Sequence, residues 1–149
     1  MEFQEIRRRF QAIEPDETMF AGMTVDDIAH FETLLAEADP VMASRAVFAL
    51  SRIGGDSAAR VLRRAAVDSR SPVRVAVAAA VAQRPITLPD RELNALLSDR
   101  DAGVRKFALG AVKADNGTIV KEALTRMSQS ADELPALKVR ALEALRRLP

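Results

Sequence analysis

The chain has 149 residues, of which 48% are hydrophobic and 29% charged, so it can bury a core and is not expected to be disordered. It contains no cysteine, which excludes disulfides and thiolate metal sites, and no Trp or Tyr for stacking on bases. The net charge of +1 is unevenly distributed, since residues 1–39 carry −7, residues 40–84 carry +6 and residues 85–149 carry +2. This complementarity favours contacts within the chain as much as an external charged partner.

Residues 1–23 predict a helix followed by an acidic connector. Four apolar residues recur at spacings of three and four over residues 2–13, which is typical of an amphipathic helix. They are Phe3, Ile6, Phe10 and Ile13. We expect this stripe to cap the first repeat, with packing in a groove of this chain or of a second chain as the alternative. No run resembles a signal peptide or reaches the length of a membrane span, so we expect a soluble, cytoplasmic protein with no membrane contact.

Residues 24–149 contain a pattern that recurs every 31 to 33 residues. Thr24 is expected to cap the first helix, and each later unit also contains two helix-length segments separated by turns, one of them between Pro85 and Pro89. The second helix of each unit places apolar residues at matching positions. These are Met42, Val73, Val104 and Leu137, then Ala46, Val77, Ala108 and Ala141, then Ala49, Ala80, Ala111 and Ala144, and then Leu50, Val81, Val112 and Leu145. The periodicity predicts an all-α solenoid, that is, an α-α superhelix of about four helix pairs.

Acidic and basic residues recur with the same period. Asp68, Asp99 and Asp132 each precede Arg74, Arg105 or Lys138 by six residues. Together with prolines near the helix starts, this pattern resembles the HEAT repeat, in particular the short HEAT-like units of the phycobilisome-lyase type. The resemblance implies a ladder in which the aspartate and the basic residue tie adjacent repeats together. It departs in the first unit, where Ala43 follows Glu37 by six residues and no ladder partner is expected.

The sequence carries no recognisable catalytic constellation. His30 is the single histidine and has no neighbouring nucleophile, so we interpret it as an ordinary helix residue. The spacing of the three aspartates is that of the repeat, and Gly54-Gly55 lacks the Lys-Ser/Thr pair of a phosphate loop. We therefore expect no catalytic residue, no cofactor and no metal site. Two enzyme branches resemble this fold, the alkylpurine DNA glycosylases and the bilin lyases, but neither a base-stacking aromatic pair nor a tetrapyrrole pocket can be identified.

An arginine-rich segment supports a second hypothesis, in which the protein binds nucleic acid. Seven arginines between residues 45 and 74 could contact phosphates. They are Arg45, Arg52, Arg60, Arg63, Arg64, Arg70 and Arg74. The near-neutral chain and the ladder role expected for Arg74 argue against this hypothesis, so we treat nucleic acid as an unlikely partner.

The remaining candidate is a surface on the second helices of the repeats. When the core side of the helix over residues 72–83 is placed on Val73 and Val77, its opposite side is almost wholly apolar. In HEAT-like stacks this side lines the concave surface, which implies an apolar floor rimmed by positive charge. We call it the second-helix face, and its predicted residues are Arg45, Phe48, Val75, Ala76, Ala79, Lys106, Phe107 and Lys113.

Such a surface favours a non-catalytic interaction module or scaffold that binds a partner helix or peptide. The alternative is that neighbouring helices already bury Val75 and Ala76 and leave only small alanines exposed. The sequence does not identify the partner protein, and a homodimer is a further hypothesis.

Overall fold

The computed structural model describes residues 1–84, 86 and 88–149, and the described part of the chain is all-α. Two 3-10 turns, Glu17–Phe20 and Val25–Asp27, join its first helices, and no strand occurs among these residues. The helices are α1 (Phe3–Phe10), α2 (Ile28–Leu35), α3 (Pro40–Ile53), α4 (Gly55–Ala65), α5 (Ser71–Gln83), α6 (Asp90–Leu97), α7 (Ala102–Gly110), α8 (Thr118–Gln129) and α9 (Pro135–Arg147).

Short polar side chains start several of the helices, as predicted for Thr24. Thr24 and Asp27 form a capping box, in which the Thr24 backbone N–H donates to Asp27 over 2.8 Å. Asp39 accepts a hydrogen bond from the Val41 N–H at the start of α3, where Pro40 supplies the fixed backbone angle of a first helical residue. Asp101 caps α7 by accepting from two backbone N–H groups. These caps satisfy backbone donors that have no partner inside the helix.

The helices pack in an alternating order along the chain. Each predicted pair is in contact, and the second helices also contact one another in sequence, α3 with α5, α5 with α7, and α7 with α9. The positions that the repeat alignment assigns to the core are buried, except for Leu145 in α9, which is partly buried. Alanine at many of these positions allows adjacent helices to approach closely.

Two glycines of α7 lie against side chains of α5. A Cβ atom built on Gly110 would lie 3.3 Å from the Ala82 Cβ, and one built on Gly103 would lie 3.5 Å from a Val75 methyl group. Gly54 lies between the first and second helix pairs, where it ends α3. Its φ of 69° is one that a residue with a side chain rarely adopts.

The end of α7 differs from the prediction. The repeat alignment extends this helix through Ala111 and Val112, whereas the helix ends at Gly110. The Ala111 N–H donates to the Ala108 carbonyl over 3.0 Å, which tightens the last turn and leaves both residues buried just beyond the helix. The predicted turn between Pro85 and Pro89 includes Pro85 and Thr87, which lie outside the described residues.

The N-terminal helix packs on α2 and α3, as expected for a cap on the first repeat. Ile6 and Phe10 are fully buried, and the Phe10 ring stacks on Phe31 of α2 with 6.2 Å between centroids. The inclusion of Ile13 in this stripe is wrong, because its side chain is 95% exposed. The helix ends at Phe10, so the helical spacing no longer holds three residues later.

Candidate functional site

The second-helix face is less open than the sequence predicts. Phe48, Val75 and Phe107 are half-buried against the core, but Ala76 and Ala79 are only 3% and 6% exposed. The expected exposure of these two alanines is wrong, because α5 lies between α3 and α7 and contacts both. The alternative, in which Val75 and Ala76 are buried and small alanines stay exposed, holds for Ala76 only. Phe48, Val75 and Phe107 remain partly accessible on this face.

The predicted basic residues of this face differ in their surroundings. Arg45 donates a hydrogen bond to the Phe10 carbonyl at the end of α1, so it fastens the N-terminal helix to α3. Lys113 donates to the Ile86 carbonyl over 3.1 Å. Lys106 is exposed, with its ammonium 5.6 Å from the centre of the Phe107 ring. Of the three, Lys106 is thus the one placed to meet a partner in solution.

The acidic connector contacts α3 and the residue that follows α5. The sequence analysis did not predict which residues make this contact. The Glu17 carboxylate accepts two hydrogen bonds from Arg52 of α3, and its Oε2 atom lies 3.5 Å from the Arg84 guanidinium after α5. The Arg52 guanidinium also sits 4.0 Å from the centre of the Phe20 ring. The hydrogen bonds from Arg52 hold the pKa of Glu17 below its ordinary value, and the charge of Arg84 adds to this effect. The opposite net charges of the two segments were the signal for this contact.

Three of the four second helices carry charge of one sign, whereas α9 contains Glu143. The helices α3, α5 and α7 contain no acidic residue, while Arg45, Arg52, Lys106 and others supply positive charge. Acids reach this row from connectors between helices, as Glu17 does. A negatively charged partner segment would therefore meet little repulsion along α3, α5 and α7.

Ion pairs join successive units as a ladder, but the partners differ from the expected ones. The expectation that Asp99 pairs with Arg105 is wrong, because the Asp99 carboxylate pairs with Arg74. Lys138 takes part in no ion pair among the described residues. Arg74 of α5 donates to both carboxylate oxygens of Asp99 over 2.8 and 3.1 Å. Arg105 of α7 makes the equivalent pair with Glu133, at 2.7 and 2.8 Å, and not with Asp132, which is exposed. The prediction that Asp132 belongs to the ladder is therefore wrong. The loop before α9 presents the neighbouring acid instead.

The first unit is tied to the second by a different contact. Arg70 pairs with Asp68 and donates to the Leu35 and Glu37 carbonyls at the end of α2, each over 2.5 Å. Asp68 therefore positions an arginine that satisfies free carbonyl groups at a helix end. Glu37 itself pairs with Arg7 of α1, so the first unit replaces the ladder acid with contacts to the N-terminal helix.

The ladder pairs are largely removed from solvent. Burial acts to raise the pKa of Asp99, but hydrogen bonds from Arg74 and from the Asp101 N–H outweigh it, so this pKa lies below its ordinary value. The hydrogen bonds from Arg105 lower the pKa of Glu133 in the same way. Each arginine uses its remaining Nη1 to bind two carbonyl groups of the preceding loop. Such bidentate charged contacts define geometry as well as energy.

Most arginines of the segment between residues 45 and 74 already contact acidic groups or carbonyls of the chain. Arg63 pairs with Glu92 of α6 and Arg64 with Glu32 of α2. Arg60 differs from them, because its Nη2 donates to the Ser57 hydroxyl over 3.3 Å and not to an acid or a carbonyl. These internal contacts reduce the positive charge available to nucleic acid, so the geometry adds no support to that hypothesis.

Among the described residues, no three His, Asp or Glu side chains form a cluster that could bind a metal ion. No helix in this part of the chain is long and apolar enough to cross a bilayer. His30 is half-buried, with its ring 5.5 Å from the Phe3 ring. The chain matches no protein-family model and no curated protein.

Proposed function

We propose that this protein is a HEAT-like α-solenoid of four helix pairs that acts as a non-catalytic protein-interaction module or scaffold. In this proposal the second-helix face binds a helix or an extended peptide of the partner. The observation that carries it is the acid-free row of α3, α5 and α7, which presents the partly accessible rings of Phe48 and Phe107 beside exposed Lys106.

Two features support the solenoid part of the proposal. The second helices contact one another in chain order, and the pairs Arg74–Asp99 and Arg105–Glu133 join successive units at equivalent positions. In a repeat architecture each unit contacts chiefly its neighbours, and a continuous row of equivalent helices provides an extended surface.

The chemistry of the face supports a peptide or helix as its ligand. Aromatic edges provide apolar contact area, and basic residues at their margins can pair with acidic side chains of the ligand. Because Ala76 and Ala79 are buried, a guest segment would contact Phe48 and Phe107 and not these alanines.

Affinity capture followed by direct binding tests this function. Protein partners captured by the intact chain are identified by mass spectrometry, purified, and titrated against a Phe48→Ala/Phe107→Ala variant. The matched control is Val67→Ala/Ile119→Ala, which truncates exposed apolar side chains on other surfaces.

We expect the face variant to lose about tenfold or more in affinity, while the control binds like the wild type. Equal affinities for all three proteins, with each shown to be folded, would contradict the proposed surface.

A further inference from the structure

Arg52 binds the Glu17 carboxylate in the way that a binding site holds a carboxylate ligand. Arg52 presents Nε and Nη2 to the two carboxylate oxygens, which is the bidentate arrangement that guanidinium groups use to recognise carboxylates. Its third donor, Nη1, binds the Phe48 carbonyl over 3.0 Å, and the Phe20 ring covers one side of the guanidinium. Arg52 is therefore positioned by its own helix and by an aromatic ring, as well as by Glu17.

The carboxylate that occupies this site is itself accessible. The Glu17 side chain is 71% exposed, whereas that of Arg52 is 20% exposed. Asp16 accepts hydrogen bonds from the Thr18 and Met19 N–H groups, which orders the backbone on either side of Glu17. Arg52 is thus packed within the fold, and Glu17 lies on the solvent side of it.

Space for a larger ligand adjoins the two arginines. A cavity of about 580 Å³ is lined by Arg52, Gly54 and Arg84, and also by Asp56 at the start of α4, so its positive charge lies on the side of the two arginines. Gly54 has no neighbouring atom within 4 Å of the place where a Cβ would lie, so the entrance on this side is open. A peptide carboxylate could therefore reach the arginines with its backbone in the cavity.

We propose that Arg52 and Arg84 form a recognition site for a carboxylate side chain of an acidic partner peptide, and that Glu17 occupies this site within the free chain. This inference deepens the proposed function, on which it rests, because it assigns a chemistry to the partner of the second-helix face. Glu17 then acts as an internal competitor. Because the connector tethers it at a high effective concentration, the free chain binds the partner more weakly than the bare site does.

The acid-free character of α3, α5 and α7 supports an acidic ligand over a neutral one. A partner carboxylate that displaces Glu17 replaces one charge pair with another and leaves neither arginine unpaired. The ligand would continue along a row that offers Lys106 and no carboxylate from α3, α5 or α7. Binding is thus expected to depend on the ligand's negative charge and to weaken with added salt.

The test compares Glu17→Ala with Glu14→Ala, which removes an exposed carboxylate from the same connector. Each full-length protein is titrated with a short poly-glutamate peptide, and separately with a poly-glutamine peptide of equal length, by nuclear magnetic resonance. Glu17→Ala is expected to bind the glutamate peptide about tenfold more tightly than the wild type does. Glu14→Ala is expected to match the wild type, and the glutamine peptide is expected to bind none of them.

A second variant shows whether the gain belongs to this site. Adding Arg52→Gln and Arg84→Gln to Glu17→Ala should abolish the gain while the circular dichroism spectrum remains that of a folded helical protein. The proposal is overturned if Glu17→Ala binds no better than the wild type, or if the gain survives loss of both arginines. The Phe48→Ala/Phe107→Ala titration is independent of Glu17, so failure of the carboxylate site and failure of the proposed function give different results.

Discussion

Arg74 binds Asp99 through two hydrogen bonds of 2.8 and 3.1 Å, and through its third nitrogen it holds the Asp68 carbonyl at 2.9 Å. One side chain thereby joins the loop before α5 to the loop before α7. Arg105 repeats this arrangement one unit later with Glu133. The equivalence of these contacts makes the ladder the most direct target for mutation.

Loss of the Asp99 carboxylate should destabilise the protein more than loss of a neighbouring surface acid. Asp99→Asn is expected to lower the free energy of unfolding by about 2–4 kcal/mol, because it leaves the buried Arg74 guanidinium without its charged partner. Glu133→Gln should have a similar effect through Arg105. Urea denaturation followed by circular dichroism measures both changes.

Asp132→Asn provides the control for this series, since Asp132 is exposed beside Glu133. Its free energy of unfolding should stay within about 0.5 kcal/mol of the wild type. A loss at Asp132 as large as that at Glu133 would contradict the assignment of the ladder acid.

Stability should decrease in acid as the ladder carboxylates become protonated. The pKa values of Asp99 and Glu133 lie below their ordinary values of 3.8 and 4.5, so each group stabilises the folded state above its unfolded pKa. This contribution is lost as pH falls through the folded pKa, so the loss should begin below about pH 5 and continue below the ordinary values. The double variant Asp99→Asn/Glu133→Gln should show a shallower acid dependence, measured as the free energy of unfolding between about pH 2 and 7. An unchanged slope would show that other carboxylates account for it.

Truncation of the N-terminal cap should destabilise the whole chain. Phe10→Ala removes a fully buried ring from between α1, α2 and α3, and is expected to cost about 3–5 kcal/mol. Ile13→Ala, on a side chain that is almost fully exposed, should change the stability by less than about 0.5 kcal/mol. Thermal and urea denaturation provide the comparison. Equal effects at both positions would mean that α1 packs differently.

Binding of nucleic acid should be weak and insensitive to single arginines. At ~150 mM salt, duplex and single-stranded DNA are expected to bind with Kd no tighter than about 10⁻⁴–10⁻⁶ M. Arg60→Glu is the most informative variant, because Arg60 lies on α4 with a single long hydrogen bond to Ser57. Submicromolar binding that this change abolishes, measured by fluorescence anisotropy, would revive the second hypothesis.

Much of the fold could be predicted because burial recurs with the repeat. Val73, Val104 and Leu137 occupy equivalent helical positions, so an apolar residue at each was evidence for the same core contact. The choice between Asp132 and Glu133 could not be made in this way. The two acids are adjacent, and the path of the loop before α9 decides which one faces Arg105.

The candidate surface was harder to predict because a helical projection shows one helix at a time. The projection assigned Ala76 to the side opposite Val73, but residues three apart are neighbours on a helix, so Ala76 lies beside Val73 and is buried with it. For Ala79, the projection contained no information on how closely α3 and α7 approach α5. The contact of Glu17 with Arg52 was hard to predict for a similar reason. Opposite net charge predicted that the two segments attract, but only the folded connector shows which side chains meet.

The composition of α5 affects the entropy of folding at the centre of the protein. Apart from Arg74, its buried side chains are alanines and valines, which have no rotatable side-chain torsion or a single stiff one. Ordering them costs little side-chain entropy, whereas leucine or methionine at the same positions would lose rotamer freedom. The side chains of α5 therefore have little disorder to regain on unfolding. Because α5 also contacts both α3 and α7, its amide protons should be among the slowest to exchange with solvent.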